Sequence, residues 1–388
     1  MRYNKSRYDF GTVEIGSEYR DSSSVDGSIA GGGLDEQELR RGPAKKPRRW
    51  QRFFVYGSAW TLIILGVVIL LNSALAAARS LWGIEDDPDK IFGNWGQPGS
   101  GTQGLDWYPT DFLRDVVPVP CHSHNDYWRK VPVYSALHAG CVGIEADVWL
   151  LKDKGPDLYV GHDTAALSPN RTFQSLYIQP LVGLLERNNP QTEYYNGSDR
   201  GIFDVDPSQT VVLLVDLKTD GAETLAHMLE ELEPLRARNW LSYVQDGILH
   251  KRQITVVSTG NAPFDALVAN STYRDVFYDA PLEDLWEDPD AAESSATTSL
   301  EYDDTNSFYA SVSLGKAVGF TLLGLSHGQL QTIRGQIKGA HRRGLKVRYW
   351  DTPEWPIFSR NAIWHALVEE GADILNVDDL ESATKKRW

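Results

Sequence analysis

The 388-residue chain is long enough for one large domain or two of ordinary size, and 41% of its residues are hydrophobic. Its net charge is −15, and beyond residue 52 the acidic residues outnumber the basic ones by 45 to 27. Nucleic-acid binding needs a basic face, so this acidic body argues against a nucleic-acid partner. The two cysteines cannot form a framework of several disulfides.

The N-terminal part of the chain predicts a membrane anchor. Residues 1–52 are polar and include SSSVDGSIAGGG, so we predict a disordered tail there. Residues 53–78, FFVYGSAWTLIILGVVILLNSALAAA, carry no charge, and about 20 apolar residues suffice to cross a bilayer as a helix. The preceding RRGPAKKPRRWQR is rich in arginine and lysine, and such flanks stay in the cytosol. The pattern therefore predicts a single-pass type II membrane protein with its main domain lumenal or extracellular.

Two other interpretations of the apolar segment are a cleaved signal peptide and a buried core helix. The segment starts late and is long for a signal peptide, and it shows no amphipathic face. After it, residues 79–115 contain EDDPDK and NWGQPGSGTQG, which are typical of a linker. Sequons at Asn170, Asn196 and Asn270 all follow the apolar segment, which predicts a glycoprotein.

From residue 116 to the end, short apolar runs alternate with longer helical ones. The runs predict eight strands, at 117–121, 143–150, 210–218, 253–259, 275–280, 308–314, 345–351 and 373–378. A further short strand at 157–162 is expected to pair with the second. Eight strands in βα alternation predict an α/β fold, a TIM-type (β/α)8 barrel over residues 116–388. A doubly wound open sheet is the alternative, but no glycine-rich phosphate loop follows the first strand.

The segments between the strands carry helix signals. In TLAHMLEELEPL, the apolar residues Leu225, Met228, Leu229 and Leu232 fall on one helical face. Glycines at positions 140, 344 and 371 each end such a segment just before a strand, as the left-handed cap of a helix requires.

One disulfide between the two cysteines is possible in principle, but free thiols are the favoured expectation. Cys121 closes the first predicted strand, whereas Cys141 lies just before the second. Parallel pairing would therefore keep the two sulfur atoms apart along the strand axis.

Polar residues accumulate where the predicted strands end, which is where barrel enzymes have their active sites. Glu145 and Asp147 share one face of the second strand, and Asp216 ends the third. Three converging carboxylates predict a site for Mg²⁺ or Ca²⁺. His122 and His162 flank this site as candidates for general base and general acid.

The complete set of residues is suited to phosphoryl transfer. Lys218, two residues after Asp216, would stabilise added negative charge beside the cation. The residues that we expect to contact the substrate are His124, Asn125, Trp350 and Asn376. For His124, a role in orienting His122 or Asp126 is the alternative.

The order of these residues resembles the phospholipase C-like phosphodiesterase superfamily, which includes glycerophosphodiesterases and sphingomyelinase D-like enzymes. The string HSHNDYWRKVP…ALHAGCVGIEADVWL is similar to the fungal family called altered inheritance of mitochondria protein 6, and VLLVDLKTDG resembles the sphingomyelinase D pattern. The resemblance covers residues 116–382. It implies metal ligands at Glu145, Asp147 and Asp216, and catalytic histidines at 122 and 162. It also implies that Trp350 lies under the substrate.

One departure from the glycerophosphodiesterases concerns phosphate binding. Those enzymes carry arginine and glycine after the first histidine, where this chain has Ser123 and His124.

The expected function is a membrane-anchored, metal-dependent phosphoric diester hydrolase, with a lipid-derived or glycerophosphodiester-type substrate. The alternatives are an amidohydrolase-type enzyme, which would use the H-x-H pair His122 and His124, and a non-catalytic binding module.

Overall fold

Eight parallel strands form a closed barrel in the computed structural model. The structure describes residues 49–82, 93–105, 112–195, 197, 199–291, 301–321 and 324–385. In chain order the strands are β1 (Val119–Ser123), β2 (Cys141–Leu150), β3 (Leu158–Val160), β4 (Val211–Leu217), β5 (Tyr243–Gln245), β6 (Ile248–His250), β7 (Ile254–Gly260), β8 (Tyr273–Arg274), β9 (Val276–Pro281), β10 (Ser307–Ser313), β11 (Lys346–Trp350) and β12 (Ile374–Val377). The barrel order is β1-β12-β11-β10-β9-β7-β4-β2, and pairing of β1 with β2 closes it. The prediction of a TIM-type barrel is confirmed.

Helices follow most of the barrel strands. They are α2 (Tyr134–Ala139), α3 (Gln179–Asn188), α4 (Gly221–Glu231), α5 (Glu233–Arg236), α6 (Phe264–Val268), α7 (Leu314–Val318), α8 (His327–Arg342), α9 (Ile357–Glu370) and α10 (Leu380–Thr384), after an N-terminal α1 (Arg49–Trp82). As predicted, β3 pairs with β2, in antiparallel orientation. A separate three-stranded sheet has the order β6-β5-β8.

Helix α1 forms a unit of its own in the chain, separate from the unit that begins at Asn94. Its segment Tyr56–Leu75 is long and apolar enough to cross a membrane. At about 1.5 Å per residue, 20 helical residues span roughly 30 Å, the thickness of a bilayer's hydrocarbon core. The predicted disordered tail, residues 1–52, lies outside the described residues except for its last four.

The barrel core follows from the apolar runs of its strands. All but one residue of β4 are buried, and β2 is buried along nearly its whole length. Helices cover the outside of a parallel sheet, so its strands bury both faces and read as continuous apolar stretches. The strand predictions hold for this reason, with boundaries shifted by one or two residues.

The predicted glycine caps and the apolar helix face are confirmed, except that Leu229 is not buried. Gly140 and Gly371 are left-handed C-caps with φ of 106° and 100°. In α4, Leu225 and Met228 are buried, as is Leu232 just after it, but Leu229 is 36% exposed. The buried face is narrower than predicted because Leu229 points into an open cavity beside Arg236 instead of into the core.

The predicted linker 79–115 is shorter at both ends in the structure. Helix α1 continues to Trp82, so the first four residues are helical. At the other end Leu113 is 3% exposed and belongs to the barrel core. Phe112 packs edge-on against Tyr134, with ring centroids 5.5 Å apart. Apolar side chains thus bind the end of this segment to the barrel.

Cys121 and Cys141 form a disulfide, with Cα atoms 4.7 Å apart, which corrects the expectation of two free thiols. Strand β1 begins at Val119, directly opposite Cys141, and the register shifts before His122 pairs with Gly143. Because of this irregularity Cys121 lies beside Cys141 and not one strand length away from it.

We predict that replacing both cysteines with alanine lowers the free energy of unfolding by about 3 kcal/mol, because the bond constrains a short loop in the unfolded chain. Chemical denaturation of the full chain in detergent measures the change. Reductant should destabilise the wild type and leave the double variant unaffected. A wild type whose unfolding ignores reductant would contradict the prediction.

Candidate metal centre at the barrel mouth

Three carboxylates meet at the mouth of the barrel, the end at which the parallel strands terminate. The parallel register of β2 and β4 sets Asp147 directly beside Asp216. Glu145 lies two residues before Asp147 and faces the same side. The ligand oxygens of these three residues, the carboxylate cluster, lie within 4.8 Å of one another. The sequence prediction that they converge is met.

Asp147 is the most deeply buried member of the carboxylate cluster, with 1% exposure. Its Oδ2 accepts a hydrogen bond of 2.7 Å from the Tyr127 hydroxyl and lies 3.0 Å from Lys218 Nζ. Its Oδ1 is buried without a hydrogen-bond partner among the described residues. Burial, together with the negative charge of Glu145, raises the pKa of Asp147 to about 7.

Lys218 partly compensates the negative charge of the carboxylate cluster. Its Nζ lies 2.6 Å from Asp216 Oδ2 and 3.0 Å from Asp147 Oδ2. Burial opposes its ionisation, but the charges of Asp216 and Asp147 raise the pKa of Lys218, so it stays cationic. One lysine faces three carboxylates, which leaves the cluster with excess negative charge.

Two glycines make room for side chains of the site. A Cβ at Gly260, the last residue of β7, would lie 2.0 Å from Asp216 Oδ1. A Cβ at Gly143 would lie 2.3 Å from His122 Nδ1. Any larger residue at either position would displace a site side chain, so both glycines are required by close approach.

The two predicted catalytic histidines flank the cluster on different sides. His122 Nε2 is 3.9 Å from Glu145 Oε2, and His162 Nδ1 is 3.7 Å from Asp147 Oδ2. The side chain of His162 is 52% exposed, whereas that of His122 has no exposed surface. Burial, with the positive charges of Arg348 and His124, lowers the pKa of His122 well below its usual value.

Tyr127 is a site residue that the sequence analysis missed. Its hydroxyl contacts Asp147, the Nδ1 of His162 at 3.1 Å and the side-chain oxygen of Asn125. Burial and the charge of Asp147 raise the pKa of Tyr127, so the hydroxyl remains a donor. Its position within the HSHNDYW motif was the available signal.

Of the predicted substrate contacts, Trp350 and His124 keep exposed surface. Trp350 is 39% exposed at the end of β11. His124 Nδ1 lies 3.1 Å from a carboxylate oxygen of Asp378, a residue that the prediction omitted. Burial opposes protonation of His124, but its hydrogen bond to Asp378 and the charge of Glu145 raise its pKa. The His124 ring also lies 3.2 Å from the side-chain nitrogen of Asn125, so two neighbours hold it in place.

Asn125 and Asn376, which we predicted to contact the substrate, are both almost wholly buried. Asn376 is 2% exposed, and its Oδ1 accepts a 2.8 Å hydrogen bond from Arg348. Asn125 is 7% exposed, and its backbone N–H donates to Glu145 at 3.1 Å. Both amides thus serve buried neighbours. Arg348 lies two residues before Trp350 on the same strand, and residues two apart share a strand face. The choice of Trp350 as a site residue could therefore also have pointed to Arg348.

The carboxylate cluster fits a divalent cation of the Mg²⁺ or Ca²⁺ type. All its donors are oxygens, which such hard cations prefer, and the unpartnered Oδ1 of Asp147 is available to one. It is the only group of potential metal ligands found in the described part of the chain, and it contains no histidine. Neither histidine of the H-x-H pair is a member of this group, although His122 Nε2 lies 3.9 Å from Glu145 Oε2.

Three comparisons with known proteins show what this chain is similar to. A family model described as an AIM6-like phosphodiesterase domain matches residues 110–279. The altered inheritance of mitochondria protein 6 homolog of Arthroderma benhamiae is 43% identical over 71% of this chain and 86% of its own length. The Eremothecium gossypii protein named altered inheritance of mitochondria protein 6 is 37% identical, covering 70% of each chain. A glycerophosphodiester phosphodiesterase structure from Thermotoga maritima has a TM-score of 0.35 and 15% identity, covering 69% of this chain and 98% of that one.

We predict that Asp147→Asn stabilises the metal-free protein by about 1–3 kcal/mol, because it removes a buried carboxylate that lacks a full set of partners. The same change should abolish the stabilisation that Mg²⁺ or Ca²⁺ gives the wild type. Thermal unfolding with EDTA and with each cation measures both effects. Asp163→Asn is the matched control, since this carboxylate caps the turn after His162 and lies outside the cluster. An unchanged cation response in Asp147→Asn would contradict the site.

A second prediction concerns pH. The folded-state pKa of Asp147, about 7, exceeds the unfolded value of about 3.9. Its contribution to stability is therefore present below pH 4 and is lost as pH rises towards 7. The metal-free wild type should lose stability over this window by more than Asp147→Asn does, as unfolding curves at several pH values would show. Parallel pH profiles of the two proteins would refute the assignment.

Proposed function

This chain belongs to the altered inheritance of mitochondria protein 6 family, and on that premise we propose that it is a membrane-anchored, divalent-metal-dependent phosphoric diester hydrolase. The observation that carries the proposal is the carboxylate cluster with a histidine on either side, at the mouth of a barrel. The match to a phosphodiesterase domain model supports the reaction class. The proposed substrate is a lipid-derived or glycerophosphodiester-type phosphodiester.

In this proposal Glu145, Asp147 and Asp216 hold the cation, Mg²⁺ or Ca²⁺. When bound, it would supply positive charge to the phosphate oxygens that become more negative in the transition state. Lys218 adds a second positive charge on the same side, already fixed by Asp216 and Asp147. A preorganised charge of this kind needs no rearrangement during the reaction.

The structure suggests different roles for the two histidines. His162 is half exposed and can exchange a proton with a bound substrate. Its Nδ1 lies 3.1 Å from the Tyr127 hydroxyl, which fixes the ring while leaving Nε2 available. We therefore assign proton transfer at the mouth to His162.

His122 is the second proposed acid–base residue, but its complete burial opposes direct contact with the substrate. Neither ring nitrogen of His122 has a hydrogen-bond partner among the described residues. A small movement towards Glu145, at 3.9 Å, would supply one. His122→Ala distinguishes the two roles: loss of proton transfer lowers turnover at saturating cation, whereas loss of support for Glu145 weakens cation binding.

Membrane anchoring is supported by three features of the chain. The apolar segment Tyr56–Leu75 follows a basic flank, which orients the N-terminus towards the cytosol. The disulfide between Cys121 and Cys141 suits an oxidising, non-cytosolic compartment. The sequons at Asn170 and Asn270 are exposed, as glycosylation requires, while Asn196 lies outside the described residues.

The test is turnover by the purified full chain on bis(4-nitrophenyl) phosphate, glycerophosphodiesters and lysophospholipids. We predict that His162→Ala and Asp147→Asn each lower metal-dependent activity at least about a hundredfold, the usual contribution of acid–base groups. The matched control is His365→Ala, since His365 is an exposed histidine on α9, away from the cluster.

Each outcome of this test has a definite meaning. Full activity in both site variants would exclude the proposed roles. A folded wild type without metal-dependent turnover on any substrate would favour the binding module. Bound zinc, or two ions per chain, would favour the amidohydrolase type. ³¹P spectra of the products show whether water or an internal hydroxyl attacks, since only the latter gives a cyclic phosphate.

A further inference from the structure

Large apolar side chains are exposed on two segments at the barrel mouth. The loop after β1 carries Trp128 and Val131, which are 61% and 47% exposed. The segment after β11 carries Trp355, Ile357 and Phe358, which are 79%, 58% and 67% exposed. We call these five residues the apolar rim. Since both segments follow barrel strands, the apolar rim lies at the same end of the barrel as the carboxylate cluster.

Contacts connect both parts of the apolar rim to the site. The ring of Trp128 lies 5.0 Å from the ring of His162. On the other side, Glu354 precedes Trp355 and lines the same cavity as Asp378, the partner of His124. A surface that binds the apolar rim would therefore face the entrance to the carboxylate cluster directly.

The composition of the apolar rim is that of a membrane interface. Exposed apolar clusters of this kind mark surfaces that bind a partner or a membrane. Tryptophan prefers the headgroup region of a bilayer, where its ring is half buried and half hydrated. Lys130, exposed between Trp128 and Val131, adds a positive charge that suits lipid phosphates.

The chain itself indicates which surface is available. The barrel core begins at Leu113, with Phe112 packed against it, so residues 83–111 connect it to the end of α1. These 29 residues reach at most about 100 Å when fully extended. If α1 crosses a bilayer, as the proposed function holds, the barrel stays within reach of that bilayer's surface.

We propose that the apolar rim docks the barrel mouth onto the phospholipid bilayer that holds α1. Docking would bring lipid headgroups to the carboxylate cluster, so the substrate would be a phosphodiester presented at the membrane surface. The docking rests on the membrane anchor of the proposed function and not on catalysis.

The experiment uses the full chain with one added cysteine, which can be labelled selectively because both native cysteines are in a disulfide. Ile357→Cys places an environment-sensitive fluorophore in the apolar rim. Ile248→Cys is the matched control: this isoleucine is 62% exposed in β6, just before β7 begins, at the opposite end of the barrel. Both proteins are reconstituted into phosphatidylcholine vesicles, with and without nitroxide-labelled lipid.

We expect the label at position 357 to shift to shorter wavelength and to be quenched by nitroxide lipid, and the label at 248 to show neither effect. Adding Trp355→Ser and Phe358→Ser should abolish the response at 357. Equal responses at both positions, or none at 357, would overturn the proposal. A wavelength shift at position 357 that grows with the number of chains per vesicle, without quenching by nitroxide lipid, would also overturn the proposal. The apolar rim would then contact a second copy of the chain and not the bilayer.

The same labelling in an Asp147→Asn background separates docking from catalysis. If this variant docks while the wild type shows no turnover, the docking proposal is supported and the hydrolase proposal fails. If the wild type hydrolyses diesters without any lipid response at 357, the hydrolase stands and the docking fails.

Discussion

The repulsion among three carboxylates in a buried site is the constraint on which the rest of the structure depends. Glu145, Asp147 and Asp216 hold their oxygens within 4.8 Å of one another, two of them almost wholly out of water. Like charges at such distances destabilise a fold unless other groups compensate them. The Lys218 ammonium and the Tyr127 hydroxyl both contact Asp147, and they supply part of that compensation.

The barrel keeps the carboxylates in place through its backbone. The register between β2 and β4 is continuous, so Asp147 and Asp216 cannot separate without breaking a ladder of buried strands. Gly260 leaves space for Asp216, and Gly143 leaves space for His122. The apolar core that stabilises these strands thus offsets the cost of the charged mouth, a balance common at functional sites.

The sequence predicts the strands and the carboxylate cluster well because both depend on local rules. Apolar runs fix the strands, and the two-residue period fixes which of their side chains share a face. The disulfide was mispredicted because a register irregularity between β1 and β2 has no local signal. The burial of Asn376 and the role of Tyr127 depend on neighbours that are distant in sequence, Arg348 and Asp147, which periodicity in one strand cannot reveal.

The charges inside the barrel indicate what the mouth lacks. Elsewhere inside the barrel, the Arg348 guanidinium is matched by Asp279 at 3.6 Å. At the mouth, Lys218 matches one of three carboxylates. His122 adds no charge, because burial lowers its pKa well below the usual value. Two negative charges therefore remain. Burial, together with the charge of Glu145, raises the pKa of Asp147 to about 7, so that a proton on Asp147 can neutralise part of this charge. One divalent cation would replace the proton of Asp147 and balance both remaining negative charges. The electrostatics of the fold and the proposed chemistry therefore require the same ion.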